Sequence, residues 1–166
     1  MEIRNKSGDL IFTLEDKVPR HLNELDLREA NFSFLDLMGV SFDDSDLTGS
    51  DFTHANLYWA NLSDAKCDDC IFIGADLRGA IFFRTSLQGA KLQVANFWVD
   101  MLGGHTDQAD VDLSTALLTG ANLTGATFNA ETKFPPGFDP LKHGMIETSR
   151  RHERISRGEQ SSKIVI

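Results

Sequence analysis

Leucine or phenylalanine returns at every fifth position along most of the chain: Leu22, Leu27, Phe32, Leu37, Phe42, Leu47, Phe52, Leu57, Leu62, Phe72, Leu77, Phe82, Leu87, Leu92 and Phe97, with Cys67 filling the one gap. Two residues before most of these centres sits a small side chain, as at Ala30, Ser45, Ser50, Ala55, Ala60, Ala65, Cys70, Ala75, Ala80, Thr85, Ala90 and Ala95. Asp or Asn often stands between the two, as at Asp26, Asn31, Asp36, Asp46, Asp51, Asn56, Asn61, Asp76 and Asn96. After a break the pattern resumes one residue out of phase at Leu113, Leu118, Leu123 and Phe128. Such a period serves neither an amphipathic helix, which repeats every 3.6 residues, nor a strand, which alternates every two. The chain must instead turn once per unit. Gly39, Gly49, Gly74, Gly79, Gly89, Gly120 and Gly125 all lie two residues after a centre, where a type II turn wants positive φ. The pattern therefore predicts short extended pieces joined by corners, four to a square coil, with the large centre and the small residue inward and the other positions outward.

Stretches such as Ala55-Asn56-Leu57, Ala75-Asp76-Leu77 and Ala121-Asn122-Leu123 resemble the motif of the pentapeptide-repeat family, Ala-Asp/Asn-Leu-x-x. The resemblance implies an all-β fold, a right-handed quadrilateral β-helix. On this reading residues 1–19 form an N-terminal β-hairpin cap, 20–131 the solenoid and 132–166 a C-terminal cap and basic polar tail.

A solenoid exposes unpaired backbone at its ends and needs covering there. At the N-terminal end, Glu2-Ile3-Arg4 and Leu10-Ile11-Phe12-Thr13-Leu14 flank Asn5-Lys6-Ser7-Gly8-Asp9, a hairpin signature. At the other end Phe134-Pro135-Pro136-Gly137-Phe138-Asp139-Pro140 cannot continue a ladder, because proline has no N–H to give; its aromatics are expected to cover the last coil. Residues 149–163 are polar and hold Arg150, Arg151, Arg154 and Arg157, which reads as an exposed helix or a disordered tail. Within the solenoid, Leu102 and Gly104 keep phase after Phe97, leaving an irregular break at 105–110 with no apolar centre. Six residues nearly replace five, which favours one bulged side over a loop leaving the coil.

Composition narrows the function. The 166 residues carry a formal net charge of -9, against a sequence-reading DNA binder with a basic footprint, so no direct nucleic-acid contact is expected. No run approaches the roughly 18 apolar residues that span a bilayer, and Met1-Glu2-Ile3-Arg4 lacks a secretory pattern. A cytoplasmic protein without membrane contact is the expectation. No catalytic constellation, phosphate motif or cofactor motif is present, so neither enzyme activity nor a cofactor is expected. Cys67 and Cys70 flank two residues like a zinc or redox half-site, but they occupy a centre and a small inward position, and zinc takes four ligands. They read as core. His21, His54, His105, His143 and His152 share no ligand spacing, so no metal is expected.

Wrapped at twenty residues per coil, the prism has four sides. The first two, centred on Leu22/Phe42/Leu62/Phe82 and Leu27/Leu47/Cys67/Leu87, turn out Glu24, Asp26, Glu29, Asp43, Asp44, Asp46, Asp64, Asp68 and Asp69. The third and fourth, centred on Phe32/Phe52/Phe72/Leu92 and Leu37/Leu57/Leu77/Phe97, show Phe34, Met38, Tyr58, Trp59, Ile71, Ile73, Val94, Trp98 and Val99. Met38, Tyr58, Arg78 and Trp98 share one column, which would set the guanidinium between two aromatic faces. An exposed apolar stripe marks an interface with a protein partner or with a second copy in a homodimer, unless the hairpin or tail covers it. Phe34, Met38, Tyr58, Trp59, Ile73, Arg78 and Trp98 are the candidate contact residues. The acidic half, with Asp43, Asp44, Asp64, Asp68 and Asp69 foremost, is either a solubilising surface or a DNA mimic. The second reading follows from the resemblance, since some quinolone-resistance members of the family resemble duplex DNA and bind type II topoisomerase.

Overall fold

The computed structural model describes residues 2–5, 7–13, 20–97, 111–130 and 132–148. Residues 20–97 wind as a solenoid in which each extended piece pairs in parallel with the piece twenty residues on: His21 with Ser41, Asp26 with Asp46, Asn31 with Asp51, Asp36 with Asn56, and so on to Asp76 with Asn96. Most sides repeat one bonding scheme. The N–H of a centre bonds upward, as Leu57 does to the Asp76 carbonyl at 2.8 Å, and the N–H before it bonds downward, as Asn56 does to the Leu35 carbonyl at 2.9 Å. The residue two after the centre also bonds upward, as Trp59 does to the Arg78 carbonyl at 3.0 Å. Most corners are closed by a four-residue turn such as Ala60 N–H to Leu57 C=O at 2.9 Å.

The third turn residue lies in the left-handed region wherever the sequence offers glycine there, as at Gly39 with φ 66°, but also at Trp59 with φ 58° and at the β-branched Val94 with φ 52°. A side chain in that region meets its own carbonyl, at a cost of roughly 1–2 kcal/mol per residue. Ladder bonds on both sides hold these corners in place. Where Asp or Asn precedes a centre it can brace the turn: Asp51 Oδ1 accepts from Thr53 N–H at 2.9 Å and Thr53 Oγ1 at 2.6 Å, and Asn31 with Ser33, Asp46 with Thr48 and Asn61 with Ser63 do the same. These are Asx turns, which explains why the position takes Asp or Asn rather than Glu.

The core is the column of centres and small residues. Phe32, Phe52 and Phe72 stack face over face at 4.8 and 5.0 Å, with Phe42 edge-on to Phe32 and Phe52. Where the small position is polar its donor is satisfied inside: Ser45, Ser50 and Thr85 give hydroxyl bonds to the Leu22, Leu27 and Leu62 carbonyls at 2.6 to 2.7 Å.

Strand β1 (Glu2–Arg4) pairs antiparallel with β2 (Leu10–Thr13), and the Arg4 carbonyl accepts from Asn31 N–H at 2.6 Å, fastening the hairpin to the third side of the first coil. Past Phe97 the ladder step jumps from 20 to 31 residues: Ile81 pairs with Asp112, Ser86 with Leu117, Lys91 with Asn122 and Asn96 with Thr127. Leu113 thus stacks in the Phe82 column, where the bulged-side reading put Leu102. Eleven residues are added to the coil's count, more than a one-residue bulge requires. Residues 98–110, including the 105–110 segment, lie outside the described residues.

After the fifth coil, Lys133 bridges Asp112 on the first side. The chain then crosses the end of the prism and returns at the fourth, where β3 (Thr127–Phe128) pairs in parallel with β4 (Ile146–Glu147). Phe134 meets the buried Phe128 edge-on at 5.5 Å, Phe138 stacks on Phe134 at 5.3 Å, and His143 on Phe138 at 4.2 Å. Among the described residues no helix is long and apolar enough to cross a membrane. The tail read as helix or disorder, 149–163, lies outside the described residues.

Candidate interaction faces

The five-residue unit places the apolar candidates where the sequence put them, on the third and fourth sides. Phe34 is 73% exposed, Met38 56%, Trp59 49% and Val94 58%, large fractions for side chains of this kind. The described part of the hairpin and of the cap leaves them open. Tyr58 and Trp59 stack on each other at 4.9 Å and 19°. The Arg78 guanidinium lies 5.2 Å from the Tyr58 ring centre, held there by Asp76, whose oxygens accept from Nε at 2.7 Å and Nη2 at 2.5 Å. Tyr58, Trp59 and Arg78 thus form one joined group on a rigid ladder. Trp98, the proposed second face for that guanidinium, lies outside the described residues. Phe34 tilts against the His54 ring at 5.4 Å, and His54 in turn lies across Gly74, where a Cβ would stand 2.4 Å from Nδ1. Ile73 is half-buried beside them.

The acids divide into two kinds. Those directly before a centre are turn braces: the Arg28 side chain bonded to Asp26 holds that carboxyl down to about 2. At Asp46 partial burial pushes the carboxyl up, but the Thr48 bonds and the Lys66 and Arg28 charges outweigh it and keep it below its ordinary value. The five foremost candidates occupy corner positions instead. Asp64 pairs with Arg84 at 2.9 Å, and Asp68 accepts from the Ser86 hydroxyl and from Gln88 N–H at 3.1 Å. Asp69 lies over Gly89, where a Cβ would stand 2.4 Å from Oδ1. Among the described residues Asp43, Asp44 and Asp69 make no ion pair.

Sequence reasoning overlooked an apolar element on this half: Ile81, Phe83 and Leu117 are exposed there, with Arg84 5.9 Å from the Phe83 ring centre. Reading every column rather than the charges alone would have found them. Cys67 and Cys70 are free thiols buried in the core, with Cys70 Sγ 2.9 Å from the Leu47 carbonyl; burial pushes the Cys67 thiol well up. Among the described residues no group of three His, Cys, Asp or Glu side chains is placed to hold a metal ion.

The family model for pentapeptide repeats matches in eight copies over residues 26–64 and 60–98. Among solved structures, the chain is similar to the pentapeptide repeat protein Rfr23 from the cyanobacterium Cyanothece 51142, at 25% identity, 80% of this chain, 78% of that one and a TM-score of 0.51. It is also similar to HetL, a pentapeptide repeat protein involved in heterocyst differentiation regulation in Nostoc sp. strain PCC 7120, at 28% identity and a TM-score of 0.52. That match covers 76% of this chain but 54% of HetL, so the chain spans about half of HetL's length. No curated protein matches the chain. With the fivefold register, the twenty-residue ladder and the braced corners agreeing with these matches, residues 26–98 carry the repeats of the pentapeptide-repeat family, wound as a β-solenoid.

Proposed function

We propose that this protein is a non-enzymatic interaction module, working in the cytoplasm, whose solenoid presents the stripe of Phe34, Met38, Tyr58, Trp59, Ile73, Arg78 and Trp98 to a protein partner. The coil is taken as right-handed and four-sided, as in the rest of the family. One observation carries the reading: Tyr58, Trp59 and Arg78 are stacked together on a ladder that fixes their backbone while Trp59 stays half open to solvent. Aromatic and arginine anchors that are ordered before contact lose little rotamer freedom on binding, which is what makes them dominate interfaces. The regulatory involvement of HetL fits a role exerted through contact. The core of the prism is filled by its own side chains, and among the described residues no acid, base and nucleophile converge on its faces.

The test is capture from native lysate on the immobilised protein. A partner retained by wild type should be lost with Tyr58→Ala/Trp59→Ala, keep its binding when Asp43 and Asp44 become Asn, and respond weakly to salt. Retention of the same partner by the double variant would refute the stripe.

A second reading, a DNA mimic engaging a type II topoisomerase or another DNA-binding protein, is favoured by the absence of ion pairs at Asp43, Asp44 and Asp69 among the described residues. It requires affinity that falls steeply with ionic strength and with neutralisation of Asp43, Asp44, Asp64, Asp68 and Asp69. Supercoiling assays separate the two: acid-dependent inhibition would promote the mimic, and unchanged supercoiling leaves the stripe as the functional face.

A further inference from the structure

Of all the described centres, from Leu22 to Phe128, Leu118 alone is not buried. The cause is the way the prism ends. On the first side Lys133 pairs over Asp112, on the third the Gly144 carbonyl takes the Gly125 N–H at 2.7 Å, and on the fourth β4 lies over β3. Two of these additions bring an exposed charge to the new edge, Lys133 and Glu147, and charges on an edge discourage further pairing. On the second side nothing described is added, and the edge carries leucine: Leu118 at the centre, and Leu117, 54% exposed, in the column that holds Asp26, Asp46, Lys66 and Ser86 below it. The backbone there is an unfinished ladder. One coil lower, the Thr85 carbonyl and the N–H groups of Leu87 and Gly89 all bond upward, at 3.0, 2.9 and 2.9 Å. Their counterparts on the edge are the Ala116 carbonyl and the N–H groups of Leu118 and Gly120, and none of the three has a backbone partner among the described residues.

We propose that this edge docks an extended segment of a protein partner, added as a parallel strand, with an aliphatic side chain in the centre position and lysine or arginine two residues after it. The backbone dictates the strand. By the scheme of the coils below, the Ala116 carbonyl accepts one N–H of the segment, and the Leu118 and Gly120 N–H groups donate to two of its carbonyls, the bonding by which open sheet edges take up peptides. The centre residue of the segment then covers Leu118 and the residue before it lies over Leu117, apolar contacts of the kind that stabilise strand pairs. The charge requirement comes from the corner that follows. Asp69, Gly89 and Gly120 form one column there, and the Asp69 carboxylate reaches up to the level of Gly89, where a Cβ would stand 2.4 Å from Oδ1. Gly120 lies directly above, its own Cβ direction meeting the Gly89 nitrogen at 3.7 Å, so the column puts no further side chain between the edge and that carboxylate. A side chain descending from the added strand has two strand spacings to cover, about 10 Å, which an extended lysine or arginine with its hydrogen bond does. Asp69 makes no ion pair among the described residues and gains one on docking. This edge is a different surface from the stripe on the third and fourth sides.

The probe is the peptide acetyl-Thr-Ile-Val-Thr-Arg-Thr-amide, whose valine takes the centre position, titrated into the full chain and followed by amide NMR. The Leu118 and Gly120 N–H signals should shift saturably at millimolar peptide and exchange with solvent more slowly, while those of Leu57 and Phe72, deep in the ladder, stay as they are. Glutamate in place of the peptide's arginine should weaken binding about two- to five-fold, the scale of an exposed ion pair, and Asp69→Asn should remove that difference. Aspartate in place of its valine should abolish binding. Tyr58→Ala/Trp59→Ala should leave binding unchanged, which separates a failure of the edge from a failure of the stripe. No shift at Leu118 and Gly120, equal affinity of the arginine and glutamate peptides, or a difference that survives Asp69→Asn would overturn the proposal. So would protection of Leu118 and Gly120 in the free protein at every dilution, since the chain itself then fills the edge, or protection that fades on dilution, since a second copy then does.

Discussion

Truncating Phe52 to alanine removes the middle member of the aromatic column. Its ring is fully buried, stacked at 4.8 Å on Phe32 and at 5.0 Å on Phe72, and met edge-on by Phe42 at 5.8 Å. Large-to-small changes of this kind cost about 3–5 kcal/mol when the surroundings cannot collapse into the cavity. Here they cannot, because the backbone on every side is pinned by ladder bonds at 2.7 to 2.9 Å, such as Phe52 N–H to Ile71 C=O and His54 N–H to Ile73 C=O. The upper part of that range is therefore expected. Since each coil touches only its neighbours, the loss falls on the interfaces between the second coil and the coils above and below it, the terms that make a solenoid cooperative. Urea unfolding followed by far-ultraviolet circular dichroism should show a lower midpoint and a broader transition, as the coils uncouple. A shift below about 1 kcal/mol, in the range of an ordinary surface substitution, would mean that the column is not continuous and that the wrap at twenty residues is misassigned.

Three further outcomes follow from the corners and the core. Val94→Gly should raise stability by about 1 kcal/mol, because a β-branched residue at φ 52° gives way to one that adopts this region freely; a lower melting temperature would show that its side chain earns more as packing than it loses as strain. Cys67 and Cys70 should resist thiol reagents in the native protein and react on unfolding, since the thiolate is the reactive form and burial raises the Cys67 thiol; fast native labelling would place them outside the core. Because the Asp26 and Asp46 carboxyls lie lower in the folded chain than when unfolded, their stabilisation is present at neutral pH and is lost as pH falls from near 4 toward about 2. Thermal melts at pH 7 and pH 3 should differ in that direction, and equal melts would show that these braces do not hold the corners.

The fivefold register and the inward pair were legible because they are a statement about volume: a large and a small side chain must alternate inside a prism this narrow. The hairpin was legible because glycine and alternating apolar residues fix it locally. Other features depend on what lies one coil away, and a linear pattern does not contain that. Asp51 reads as a surface charge until Thr53 is seen bonded to it. Leu102 and Gly104 keep the period, but period reports phase within a unit and not the column a unit joins, so the jump to Asp112 went unread. Leu118 looks like every other centre, and its exposure follows from where the chain crosses the end. Among the faces, grouping columns by charge found the stripe and passed over Phe83 and Leu117.

The jump from 20 to 31 residues between Asp76/Asn96 and Ile81/Asp112 shows how the architecture tolerates inserted sequence. The ladder asks that the chain re-enter at the correct column, with an inward residue and a bond above and below; it sets no condition on how many residues separate exit from entry. Lengthening such a connection costs little, about 0.6 kcal/mol for each doubling by loop-closure entropy. The corner after Phe97 is thus a natural splice junction. A foreign peptide placed between Phe97 and Val111 would be displayed from the side of a stiff rod with the coils on both sides still in register, so that scaffold and cargo could be altered independently.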